Sequence, residues 1–368
     1  MPPPNDAAPA DAATDHADRR ESGGGRSGDA VVRARGVDHV FDGGRGVHDM
    51  ELDIPQGCIF GLVGPSGSGK TTMVRLILGL LVPQDGSLEV FGVAPDDFSK
   101  DERERIGFLP QESALDPGLS LQHNLQFMAS AYGMPWRGRW MPGKRAARAR
   151  DRIDELLELL DLSDERGTRL GDASTGEQRR LGIAAAMVHD PDLLVLDEPT
   201  AGIDPLLREQ LWGHFDDLRE KGRTLLVTTQ YVTEADECDL VGLVIDGEIL
   251  RVAPPDELRH EAFGGDLVEV AGQDRLPVGD LVDVEGVVGI QRRTARGGLL
   301  LLVEDAEATT ERLRTALGSQ DDDTVTVSTH RPSFDDVFVR LVRAHREGDL
   351  DSPQRSSLAR HRKDATDA

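Results

Sequence analysis

Cysteine is nearly absent from this chain of 368 residues: Cys58 and Cys238 are the two, far apart and without a C-x-x-C spacing. That excludes a disulfide framework and a cysteine-built zinc site, and it points to a reducing compartment. No apolar run approaches the roughly 18 to 20 residues that a membrane span needs. The first residues are rich in Pro, Ala and Asp rather than basic and then apolar, so no secretion signal is read there. The expectation is a soluble, unsecreted chain with no signal peptide and no transmembrane helix. Lysine is scarce as well. Lys70, Lys100, Lys144, Lys221 and Lys363 are all there are among 42 basic residues, against 67 acidic ones, and the net charge is −25. A field of that sign argues against a general nucleic-acid binder. It points to a halophile, whose proteins must stay hydrated at high salt, with a G+C-rich genome that favours Arg over Lys as the alternative.

Glycine, in contrast, is plentiful, and its placement is informative. Gly64, Pro65, Ser66, Gly67, Ser68, Gly69, Lys70, Thr71 and Thr72 fit the phosphate-loop pattern G-x-x-x-x-G-K-[ST] without a mismatch. An apolar run over 58–63 precedes the loop and a helical run over 73–81 follows it, which are the flanks the motif requires. A strand that turns through glycines into a helix gathers backbone N–H groups around one concavity, with the positive end of the helix dipole behind them. Lys70 would reach the outer phosphates there, and the Thr71 hydroxyl would ligate Mg²⁺.

A second cluster completes that chemistry. Residues 193–196 read as a buried parallel strand that ends in Asp197 and Glu198. Two carboxylates on such a strand are costly without a cation. Asp197 is placed to hold Mg²⁺ and Glu198 to orient or deprotonate the attacking water. Gln111 follows a strand over 106–109, where ligand contacts gather in α/β sheets, although a surface turn would look the same. Phe41 could stack on a base or pack in the core. Asp204 followed by Pro205 reads as the cap and first residue of a helix.

The rest of the chain frames these motifs. Residues 1–29 have hardly an apolar side chain large enough to bury and read as a disordered acidic tail. Strands are expected at 31–35, 40–41, 50–54 and 87–90, the third alternating like one strand of an antiparallel pair. Residues 121–162 are helical in pattern, with Ile153, Leu156, Leu157 and Leu160 on one stripe. Ahead of that stripe, Trp136 and Trp140 interleave with Arg137, Arg139, Lys144, Arg145, Arg148 and Arg150. This basic, aromatic patch suits a membrane surface or membrane partner, with a nucleic-acid contact or a plain solvated helix as alternatives. A strand over 224–228 leads to Gln230, and 240–245 with 248–252 forms a hairpin around Asp246-Gly247. Beyond 265, short strands at 267–270, 287–291, 299–303 and 325–328 surround a helix over 306–317, a small α+β domain whose last helix is capped by Ser333. The expected division is 1–29 tail, 30–260 nucleotide domain with a helical subdomain at about 115–185, 266–346 small domain, and 347–368 tail.

Taken in order, the phosphate loop, Gln111, Ser174-Thr175-Gly176-Glu177-Gln178, Asp197-Glu198, Asp204 and the polar residue at 230 resemble the nucleotide-binding subunit of ATP-binding cassette (ABC) transporters. The resemblance covers about 30–260. It is greatest to the single-cassette ATPases of daunorubicin-resistance type drug exporters, which carry a small C-terminal domain ending in a motif similar to 331–338. It implies an α/β P-loop NTPase cassette, a mixed core sheet with an antiparallel β subdomain and a helical subdomain, plus a small C-terminal α+β domain. It implies ATP and Mg²⁺ as well. On this resemblance Phe41 stacks on adenine, Thr71 and Asp197 ligate Mg²⁺, Gln111 touches Mg²⁺ and the γ-phosphate, and Glu198 is the base. Ser174, Thr175, Gly176 and Glu177 cap the ATP of the opposite subunit, and Asp204 links the two sites. The implied partners are a separate membrane-spanning permease and a second ATPase subunit in a head-to-tail dimer, a homodimer by default. No nucleic acid is expected, and the implied location is the cytoplasmic face of the cell membrane.

Two departures stand out. Ala173 and Thr175 replace a large apolar residue and the first glycine of the signature, and Gln230 replaces the switch histidine. Gln can donate a hydrogen bond to a γ-phosphate but cannot carry charge. The expected function is the ATP-hydrolysing subunit of an exporter of drug-like or other hydrophobic compounds. Its rivals are a soluble ABC ATPase in nucleic-acid or translation work and a regulatory cassette with weak hydrolysis.

Overall fold

A computed structural model describes residues 30–112, 114–134, 144–272, 276, 278–293, 298–318 and 325–348. Residues 1–29, the expected C-terminal tail from 349 on, and the patch around Trp136 and Trp140 lie outside the described residues, the side chains of Lys144, Arg145 and Arg148 included; the first two residues of that tail, 347 and 348, instead end the last helix.

Three sheets organise the chain. The first joins β1 (Ala30–Val40) and β2 (Gly46–Pro55) as an antiparallel hairpin. After β3 (Ile59–Val63) and helix α1 (Lys70–Ile77), β4 (Asp85–Val90) pairs on the other side of β1. Period-two burial sets its register: Val32 and Ala34 of β1 face the core, while Arg33 and Arg35 face out beside Asp53 and Glu89. The second sheet runs β5 (Ile106–Leu109), β6 (Leu193–Asp197), β7 (Thr224–Thr229), β3, β8 (Leu240–Ile245), β9 (Glu248–Ala253), parallel except for β9. Strands β3, β6 and β7 are buried at every position, as expected for parallel strands covered on both faces.

The two faces of this sheet bury different halves of the molecule. Phe60, Leu62, Val195 and Leu226 pack against α1 and the antiparallel sheet. Their neighbours Ile59, Val63, Leu194, Leu196, Leu225 and Val227 pack toward the helices. After the short α2 (Lys100–Glu104), those helices are α3 (Leu121–Ala131), α4 (Lys144–Leu159), α5 (Thr175–Met187) and α6 (Pro205–Glu220). The stripe of Ile153, Leu156, Leu157 and Leu160 is buried among them. Because β3 lies between β7 and β8, its carboxyl end opens into a crevice shared with the ends of β6 and β7, the usual position of a ligand in such sheets.

Helix α7 (Pro255–Phe263) leads into the third, antiparallel sheet. Its strands are β10 (Asp266–Gly272), then β11 (Val287–Arg293) after the short α8 (Val278–Val282), β12 (Leu299–Val303), and β13 (Val325–Thr329) after α9 (Ala306–Gly318). The order β11-β12-β10-β13 encloses its own small core around Val268, Leu301 and Leu313. The last helix, α10 (Phe334–Glu347), begins at Ser333, whose hydroxyl accepts from the Asp336 N–H, and ends at Gly348 in the left-handed conformation. It does not cover the third sheet. Phe334, Val337 and Leu341 are buried in the same core as Ala235, Leu250 and Leu258, back on the nucleotide domain. Among the described residues no helix is long and apolar enough to cross a membrane.

Candidate functional site

The phosphate loop leaves β3 with its backbone held from outside. The Gly64 N–H donates to the Thr229 carbonyl at 3.2 Å, and the Gly247 N–H donates to the Ser68 carbonyl at 3.1 Å. Gly69 has φ 106, and a Cβ there would stand 2.8 Å from the Gly46 carbonyl, so the position excludes a side chain on both counts. Helix α1 then begins with no side-chain cap, which leaves its first N–H groups to a ligand. Ser68 Oγ is buried without a hydrogen-bond partner in the same loop. Lys70 folds back, its Nζ donating to the carbonyls of Gly64 (2.8 Å) and Pro65 (2.9 Å). Burial pushes its pKa down, opposed by the charges of Glu198 and Asp197. An anion in this loop would reverse that pressure and draw Nζ off the carbonyls.

The ends of β6 and β7 bring the carboxylates to the loop. Thr71 Oγ1 lies 3.4 Å from Asp197 Oδ1, and Thr228 Oγ1 donates to the same oxygen at 2.5 Å. A hydroxyl and a carboxylate facing each other are hard oxygen donors of the kind Mg²⁺ takes. Glu198 follows with φ 50, a left-handed conformation that costs on the order of 1 kcal/mol outside glycine. Its N–H donates to Thr228 Oγ1 at 3.0 Å, which helps hold that conformation. The Glu198 carboxylate turns toward Gln111, whose Nε2 donates to Oε2 at 3.2 Å. The structure thus joins Lys70, Thr71, Gln111, Asp197 and Glu198 in one crevice.

The remaining candidates surround it. Gln230 is exposed just past β7, next to the Thr229 carbonyl that holds Gly64. Phe41 is 39% exposed in the β1–β2 turn, edge-on to His39 at 4.8 Å, and so is no core residue. That turn ends at Gly46, which touches the loop at Gly69. Asp204 caps α6, its Oδ1 accepting from Leu207 N at 3.1 Å, with Pro205 at the first helical position. Ser174 and Glu177 form a reciprocal cap on α5: Ser174 N–H donates to Glu177 Oε2 at 2.6 Å, and Glu177 N–H to Ser174 Oγ at 3.3 Å. Thr175 is exposed and Gly176 half-buried in that first turn. Among the described residues no hydrogen bond links Ser174, Thr175, Gly176 or Glu177 to the loop 64–72.

One residue of this site was not expected from the sequence, Thr228, for which the polar pair ending β7 was the available signal.

The pattern of the ABC transporter family matches residues 47–201. The chain is 32% identical over 317 residues to the Nod factor export ATP-binding protein I of Burkholderia orbicola, spanning 85% of this chain and 97% of that protein. It is 33% identical over 315 residues to a daunorubicin resistance ATP-binding protein of Streptomyces coeruleorubidus, 85% of this chain and 96% of that one. Among solved structures it is similar to an ATP-binding cassette captured as a dimer in a post-hydrolysis state with ADP and Pi, with TM-score 0.53 and 27% identity over 61% of this chain and 98% of that one. A second ATP-binding subunit, at 24% identity and TM-score 0.56 over 64% of this chain and 93% of that one, shares the fold. With a P-loop cassette fold and relatives of this extent, the chain belongs to the ATP-binding cassette family of transport ATPases.

Proposed function

We propose that this chain drives an exporter of drug-like or other hydrophobic compounds, as a peripheral subunit on the cytoplasmic face of the membrane. A separate membrane-spanning permease would carry the cargo, and a second copy of the chain would complete each ATP site. The single observation that most supports hydrolysis is Gln111 hydrogen-bonded to Glu198 at 3.2 Å, beside the Thr71 and Asp197 oxygens.

Each residue has a task in that reading. Phe41 stacks on the adenine. The uncapped first turn of α1 and the loop N–H groups hold the β- and γ-phosphates, and Lys70 exchanges the Gly64 and Pro65 carbonyls for γ-phosphate oxygens. Thr71 and Asp197 would hold Mg²⁺, with Gln111 beside them, and the ion would neutralise negative charge on the β- and γ-phosphates. Thr228 keeps Asp197 oriented. Glu198, once Gln111 releases its carboxylate, accepts the proton of the attacking water. Gln230 donates an amide N–H to the γ-phosphate in place of a histidine. From the second subunit, Ser174, Thr175, Gly176 and Glu177 close over the same phosphate, and Asp204 touches the opposite site.

Co-expression with a candidate six-span permease, followed by preparation of inside-out vesicles, tests the reading. ATP-dependent accumulation of a hydrophobic dye is expected with the wild-type chain and not with Glu198→Gln. Phosphate release without any transport in the presence of that permease would overturn the export role.

A further inference from the structure

Arg179 lies in α5, five residues after the cap Ser174, and its guanidinium reaches away from its own helix. Nε donates to the Pro199 carbonyl at 3.0 Å. One terminal nitrogen donates to the carbonyls of Pro110 (3.0 Å) and Gln111 (3.2 Å). The other donates to the carbonyls of Asp197, at 2.7 Å, and Glu198. A guanidinium has five N–H groups in a rigid planar fork, and here each meets a backbone carbonyl. Among the described residues no carboxylate forms an ion pair with it.

The carbonyls it joins belong to two segments far apart in sequence, the turn after β5 and the turn after β6. Those turns carry Gln111 and Glu198. The left-handed Glu198 is thereby held on both sides: its N–H by Thr228 and its carbonyl by Arg179. The packing of α5 does not need this side chain, since Leu181, Ile183, Ala184, Ala185 and Ala186 bury the helix on their own. Breaking a cation away from five oriented carbonyls is unfavourable, so the three segments move together or not at all.

We propose that Arg179 is a positioning residue that locks the Gln111 and Glu198 turns to the signature helix, so that a shift of α5 is felt at both catalytic side chains. The proposal rests on the hydrolytic site described under Proposed function and extends it: nucleotide bound by Ser174–Glu177 across the dimer would act on its own subunit's Glu198 through this fork.

Arg179→Lys keeps the charge and loses the fork, since three donors on one nitrogen cannot span five carbonyls; Arg179→Gln loses the charge as well. The expected result for both is a kcat for ATP lowered about 10- to 100-fold, as for a misplaced catalytic group, with ATP affinity by calorimetry within about twofold. In the nucleotide-free protein, amide hydrogen exchange should rise in the peptides covering 108–112 and 197–203 and stay unchanged in the body of α5. Either variant keeping wild-type kcat, or exchange unchanged in those two segments, would overturn the clamp. Loss of folding in both variants, or exchange raised throughout α5, would make Arg179 a plain stability residue and overturn it too. The exchange arm needs no turnover, so wild-type protein that fails to hydrolyse ATP would count against the hydrolytic reading while the clamp is still judged by exchange.

Discussion

Arg259 of α7 donates through Nε to the carbonyl of Pro332 at 3.1 Å, just ahead of the cap of α10. The same guanidinium pairs with Asp236 and Asp256 and lies 5.2 Å from the Phe334 ring centre. It is 6% exposed, and Arg331 adds a second cation to the same two carboxylates. Arg259→Met should therefore destabilise the protein by about 2–3 kcal/mol, less than a fully buried pair because Asp256 remains hydrated. Urea unfolding measures it, and a midpoint equal to wild type would mean that α10 is held by Phe334, Val337 and Leu341 alone.

Glu198→Gln removes the carboxylate that the proposed mechanism uses to accept a proton from water while keeping the partner for Gln111. Steady-state phosphate release should fall about 10²- to 10⁴-fold, the usual worth of a positioned base. ATP affinity should be preserved, and gel filtration with ATP should show a trapped dimer. Turnover at the wild-type rate would refute the assignment.

Phe41→Ala should raise the KM for ATP about 5- to 30-fold, the loss of one stacked aromatic, with kcat little changed. Phe41→Trp should restore affinity. An unaltered KM in the alanine variant would show that the exposed ring serves something other than adenine.

Gln230 is tested by two replacements. Gln230→Ala should lower kcat, because a donor to the γ-phosphate is lost, while Gln230→His should match or exceed the wild-type rate. If the alanine variant is as active as wild type, residue 230 is no γ-phosphate sensor.

The cysteines give a pH signature. Burial, with the nearby Asp239 charge second, pushes the Cys58 thiol from its ordinary 9.0 up to about 12, and burial raises Cys238 as well. The folded state thus keeps protons that the unfolded chain releases. Stability from this source is complete below pH 9.0 and declines as pH rises toward 12. Thiol reagents at pH 8 should leave both residues unlabelled until denaturant is added; rapid native labelling of either would contradict its burial.

Phosphate chemistry uses short contiguous runs of residues, and for that reason the loop, the Asp197-Glu198 strand end and the Asp204-Pro205 helix start were readable in the sequence. The β8–β9 hairpin was readable from Asp246-Gly247 for the same local reason. Neighbour relations across the sheet were not. Nothing near Thr228 in the chain indicates that it will meet Asp197, 31 residues earlier, because that meeting depends on β6 and β7 lying side by side. Arg179 reads as one of two arginines on a helix surface until β5 and β6 place five carbonyls around it. Helix α7 begins at a proline pair, Pro254-Pro255, that marks a turn as readily as a helix start. The start of α10 at Ser333 was readable, but a helix cap does not name the surface that the helix covers.

That destination of α10 changes what the third sheet is. The chain leaves the nucleotide domain at α7 and returns to it at α10, and the strands between those helices, β10 and β13, are hydrogen-bonded neighbours with Val268 opposite Thr329. Neighbouring strands stand about 5 Å apart, so the departure and the return lie side by side. The unit is a graft and not a tail. Cutting the gene after residue 265 would strip a helix from the nucleotide domain, whereas excising the graft and bridging its two ends with a few residues would leave the domain closed. The same doorway would admit a different graft of similar footing without touching the site that burns ATP.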